Sequence, residues 1–250
     1  MNKKRKMICS AFIGLLLCGA LVWLFQFTSV GWFLTIRLRG YIQLDDRVLI
    51  NQDFQHSQEE VLGVLESAKI RVEEFWGELD SRPTVIISDD EDDLRRMGWT
   101  GNPALTTTVV FFGAHNYVLM SPEGLNVDVA AHELTHAELH KRLYQGRIFS
   151  FSQAVPLWFD EGVALQNDWR ESYSAEAWAN VTNDGANQPD MDAIATPEQF
   201  YVEDKNARRA HYIFSKFEVA DWISAHGMEQ FYQLIDQIRI EGDFKSAYYD

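Results

Sequence analysis

The chain has 250 residues, of which 46% are apolar, 13% aromatic and 24% charged. This excludes a disordered chain and a multi-span membrane protein, and suits one or two domains with a sizeable core. The net charge of −15 is unevenly placed, because the first 44 residues hold six of the 22 Lys and Arg and none of the 37 Asp and Glu. So acidic a remainder is repelled by phosphate backbones, which disfavours nucleic acid as a partner. Both cysteines, Cys9 and Cys18, fall in the apolar N-terminal stretch. A metal or catalytic site elsewhere must therefore be built from His, Asp, Glu, Ser and Tyr.

In chain order, residues 1–6 form a basic segment and residues 7–27 carry no charge. A helix of that length spans about 30 Å, which predicts a single transmembrane anchor, with the basic end cytoplasmic and the acidic body outside the cytoplasm. A removed signal peptide is the alternative, with a faint cleavage site at Ser29-Val30-Gly31. Residues 28–55 read as a juxtamembrane segment and 56–250 as the folded domain, of mixed α and β type. The stretch 57–79 is predicted helical: Ser57 and Glu60 have capping-box spacing, and Val61, Leu65, Ala68, Val72, Phe75 and Trp76 form an apolar stripe. A β-branched run at 84–87 precedes the acidic group 89–93, whose spacing fails a calcium loop and fits the N-terminus of a short helix instead. Runs at 106–112 and 117–121 are expected to pair as a hairpin around 113–116, while 183–200 reads as irregular.

The chemistry starts at DVAAHELTH, residues 128–136. His132 and His136 are i and i+4, so on a helix both rings project from one face and can converge on one cation, with Glu133 beside them. Asp128 is the expected N-cap. His140 lies eight residues after His132 and is turned away, so it is expected at the rim or supporting a ligand. A third ligand is better sought in PLWFDEGVA, residues 156–164, where Pro156 suits a first helical turn and Gly162 allows close packing. Glu161 then completes a two-His, one-carboxylate site. Asp160 and Asp128 are candidates to orient the histidines.

HELTH, followed 25 residues after its last His by the Glu of WFDEGVA, resembles the gluzincin clan of zinc metallopeptidases, especially its small membrane-anchored or secreted peptidase-MA-like members. DVAAHELTH is also similar to the thermolysin family. The resemblance covers residues 55–250 and implies an α+β fold: a small sheet with a hairpin packed on the HExxH helix, then a mainly helical C-terminal part, with one sheet edge binding an extended substrate. It implies Zn²⁺ held by His132, His136 and Glu161, and Glu133 as general base. The oxyanion donor would come from a helix starting near Lys205; His211 and Tyr212 are both candidates, and Tyr212 matches the clan's Tyr-x-x-Gly/Ser position. Two departures stand out: Leu165 occupies the place of an Asp four residues after the ligand Glu, and Gly113-Ala114-His115-Asn116 lacks the Glu with which clan aminopeptidases bind a free amine. The expectation is an anchored, extracytoplasmic zinc endopeptidase acting on a protein or peptide. The alternatives are an envelope interaction protein that keeps the fold without cleaving, and a zinc hydrolase of a non-peptide amide.

Overall fold

The computed structural model of the chain describes residues 28–110, 114–144, 154–187 and 189–249, with the isolated positions 12, 13, 19, 20 and 23. Helix α1 (Ser29–Thr35) and a 3-10 turn (Ile36–Leu38) lead into strands β1 (Tyr41–Asp45) and β2 (Val48–Asn51). Helix α2 (Gln58–Trp76) starts where the Ser57 hydroxyl accepts the Glu60 N–H. It stops before Gly77, whose φ of 76° continues no helix, three residues short of the predicted end. Strand β3 (Thr84–Ile87) leads to helix α3 (Glu91–Arg96), capped by Asp90, so the acidic group does mark a helix start. Strands β4 (Ala104–Val110) and β5 (Ala114–Met120) follow, then α4 (Val127–Leu143), α5 (Leu157–Ala164), α6 (Ala175–Thr182), α7 (Pro197–Phe200), α8 (Lys205–His226), α9 (Met228–Glu241) and α10 (Phe244–Tyr249).

Among the described residues the fold is α+β, with one five-stranded sheet and a mostly helical remainder. Strand order is β1-β2-β3-β5-β4, parallel at β2/β3 and β3/β5 and antiparallel at both edges. Side chains alternate across the sheet as the two-residue period requires. Val48, Ile50, Val85, Ile87, Val118 and Met120 enter the core shared with α2, α4, α5 and the C-terminal helices. Leu49, Ile86 and Leu119 enter a separate layer with Trp32, Phe33, Ile36, Leu94, Met97 and Trp99. Both faces of the central strands are thus buried, and their sequences read as unbroken apolar runs for that reason.

Three expectations change. Residues 28–55, read as a juxtamembrane connection, contain α1 and two strands of the sheet; Phe33 stacks on Tyr117 with ring centroids 4.1 Å apart. Ala114, His115 and Asn116, expected in the hairpin turn, belong to β5, and Val110 pairs with Ala114. Asn116 reads as a turn residue but points inward, where its amide donates to the Ala137 carbonyl and the Ser81 hydroxyl. The stretch 183–200 is not wholly irregular, because it includes a 3-10 turn (Met191–Ile194) and α7. Among the described residues no helix is long and apolar enough to cross a membrane. The anchor expected over 7–27 lies outside them, apart from the isolated positions.

Candidate metal centre

Helix α4 begins at Asn126, whose side chain accepts the Val129 N–H, and not at Asp128. Asp128 instead pairs with Arg71 of α2 at 2.6 Å, so it orients no histidine. Ala130, Ala131, Ala137 and Leu139 are fully buried, which fixes the rotation of α4 and turns His132 and His136 towards α5. Helix α5 is itself buried along its whole length. A Cβ added at Gly162 would lie 2.4 Å from the Ser215 carbonyl oxygen and 2.7 Å from Val219 Cγ2, so only glycine lets α5 approach α8 this closely. That contact sets the position of the neighbouring Glu161.

His132 Nε2 and His136 Nε2 lie 3.1 Å apart, and Glu161 Oε2 is 3.3 Å from the first and 3.4 Å from the second. The three side chains are buried, and Glu161 Oε2 has no hydrogen-bond partner among the described residues. Two imidazole nitrogens and an unpaired carboxylate oxygen converging in a buried site are costly unless a cation is shared between them. The donor set therefore fits a metal ion, and a two-His, one-carboxylate group is of the kind that holds zinc. His136, His140 and Asp160 form a second group that could hold an ion. Here both carboxylate oxygens already accept from the rings, at 2.7 Å from His136 Nδ1 and 2.9 Å from His140 Nε2.

The surrounding polar groups explain how the ligands are held. With Nδ1 donating to Asp160, a neutral His136 presents its Nε2 lone pair to the shared point. Burial opposes charge on Asp160, but His140 and His136 outweigh it and hold the carboxyl far below its usual range. Burial likewise opposes charge on Glu161, yet the His132 and His136 rings beside it push it down to about 2. For His136, the opposing effect of burial is overcome by Asp160 and then Glu161, which raise it well above the ordinary histidine value. Protons thus compete with a metal for this ring. Asp168 Oδ2 lies 3.6 Å from His132 Nδ1, which has no hydrogen-bond partner among the described residues, and Arg170 forks onto the same carboxylate through Nε at 2.9 Å and Nη2 at 2.5 Å. Asp168 follows the 3-10 turn Leu165–Asn167 that ends α5.

These groups open onto a cavity of about 350 Å³ lined also by Glu133, Thr106, Tyr201, Arg208 and Tyr212. The Thr106 hydroxyl of β4 lies 2.7 Å from Glu133 Oε2 and 2.8 Å from the Glu133 carbonyl, which ties the edge strand to the HExxH helix. The Tyr201 hydroxyl donates to Glu161 Oε1 at 2.6 Å. The Tyr212 hydroxyl makes no hydrogen bond to the described residues, and burial followed by the charge of Glu161 raises its pKa, so it remains a donor. His211 turns away from the cavity, its Nδ1 lying 2.8 Å from the Phe200 carbonyl oxygen. All five residues expected in the site, His132, Glu133, His136, Glu161 and Tyr212, line one cavity. Sequence reasoning missed Tyr201, Asp168 and Thr106: none lies at a fixed spacing from the motifs, and each reaches the site by tertiary packing. No protein-family model matches the chain, and neither a curated protein nor a solved structure matches it.

Proposed function

We propose that the chain is a gluzincin-like zinc metallopeptidase, an endopeptidase anchored by residues 7–27 with its catalytic domain outside the cytoplasm. The observation that carries the reading is the convergence of His132, His136 and the unpaired Glu161 oxygen in a cavity that also holds Glu133 and Tyr212. Zinc bound by the first three would supply Lewis acidity, lowering the pKa of water and polarising a carbonyl oxygen. Glu133 takes the proton of the attacking water and returns it to the leaving amine. Thr106 hydrogen-bonds the Glu133 carboxylate and limits its rotation. Tyr212 donates to the oxygen on which negative charge develops. Asp160 holds the His136 imidazole from behind, and Tyr201 holds the outer oxygen of Glu161. The edge position of β4 leaves room for an extended peptide to lie alongside it.

The test joins metal content to cleavage. Purified protein is expected to carry about one zinc per chain and to cut an unstructured protein such as casein, whereas Glu133→Gln keeps the zinc and cuts nothing. His132→Ala and Glu161→Ala lose stoichiometric zinc, and His140→Ala keeps it. A zinc-loaded wild type that cleaves no peptide would shift the reading to a non-catalytic envelope interaction protein or to hydrolysis of a non-peptide amide. Full zinc in the Glu161 variant would move the third ligand elsewhere.

A further inference from the structure

The cavity contains two arginines in opposite states. Arg170 is committed, its guanidinium forked onto the buried Asp168. Arg208 is half-buried on α8, and among the described residues its side chain makes no hydrogen bond, ion pair or ring contact. It precedes Tyr212 by four residues, so the two side chains share one face of α8 and line the same wall. A guanidinium on a cavity wall, beside the phenol that would face the reacting carbonyl, has its five donors available to a ligand.

We infer that Arg208 is a specificity residue that receives a carboxylate of the substrate close to the bond to be cleaved. The inference rests on the peptidase reading above and adds the substrate class to it. The planar fork of arginine matches a carboxylate in two parallel hydrogen bonds. A phosphate dianion is the poorer match, because Glu133 and Glu161 line the same cavity and repel the larger charge. The excess of 37 acidic over 22 basic residues repels anions at long range. Selection therefore arises on contact, at Arg208, and not from steering. The carboxylate has two sources, an Asp or Glu side chain or the C-terminus of the substrate.

Quenched fluorescent peptides of one sequence separate these sources. One set carries Glu or Gln beside the scissile bond, and another carries a free or an amidated C-terminus. Wild type is expected to favour one carboxylate form by about 10- to 100-fold in kcat/KM, the range of a charged hydrogen bond. In Arg208→Ala this ratio falls towards one, and Arg208→Lys keeps part of it. Arg209→Ala removes the same charge one position along, where the guanidinium bonds the Ser172 carbonyl, and keeps the ratio. Equilibrium binding of the same peptides to zinc-loaded Glu133→Gln, with and without Arg208→Ala, reads the preference without turnover. An unchanged ratio in Arg208→Ala, or equal binding of acid and amide forms, overturns the inference while leaving the peptidase reading intact. Binding that depends on Arg208 without any cleavage would uphold the carboxylate site and overturn the peptidase reading.

Discussion

At the scale of single residues, the two tyrosines of the cavity are separable by experiment. Tyr212 has no hydrogen bond to the described residues and would act only on developing charge, whereas Tyr201 already binds Glu161 at 2.6 Å. Tyr212→Phe is expected to lower kcat by about 10² to 10³ with zinc affinity and KM little changed. Tyr201→Phe is expected to weaken zinc by about 10- to 100-fold, as loss of a ligand's outer partner does, when measured by competition with a chelating dye. Reversed effects would exchange the two roles. His132 and His136 were legible in the sequence because their convergence depends only on helical spacing, and Glu161 because a proline, an acid and a glycine bracket it within one short helix. Asp168 was not, since it lies beyond the end of α5, after a 3-10 turn, and so at no helical spacing from Glu161.

At the scale of elements, the site depends on how closely α5 approaches α8. Gly162→Ala puts a methyl group into the Ser215 carbonyl, and overpacking of this kind costs roughly 1–3 kcal/mol. A lower urea midpoint with an unchanged slope is expected, together with weaker zinc, because Glu161 is the adjacent residue and moves with the helix. A variant of wild-type stability would mean that α8 yields without strain. The long helix α2 was legible from its cap and apolar stripe, and the central strands from their β-branched runs. Strands β1 and β2 were harder to read. Residues 41–51 mix polar and apolar positions because β1 is an edge strand, and Asp45, Asp46 and Arg47 break the pattern between two short arms.

At the scale of the whole molecule, the segment between the uncharged N-terminal run and α2 belongs to the fold. Trp32, Phe33, Ile36, Tyr41 and Leu49 close the sheet face that lies away from the metal centre. Burial of each such side chain contributes about 1.5–3 kcal/mol, a large share of the marginal stability of one domain. A chain starting at residue 28 is therefore expected to unfold cooperatively on heating, while one starting at residue 56 aggregates or melts without a transition. Equal melting of both would show this layer to be dispensable. The full chain is expected to stay in the membrane fraction after a carbonate wash, and a soluble mature form beginning near residue 31 would instead mark a removed signal.

The position of α1 has a consequence for reach. Only Thr28 separates residue 27, the end of the expected anchor, from a helix of seven residues, about 10 Å long, that is packed against the sheet. With residues 7–27 in a bilayer, the domain has no leash, and its cavity stays at one height above the lipid. Such an enzyme would work on what is presented in a thin layer beside the membrane, such as the stalks of neighbouring membrane proteins, and pass over soluble proteins further out. Inserting a flexible Gly-Ser spacer after Thr28 would then widen the set of proteins cut without altering the cavity at all.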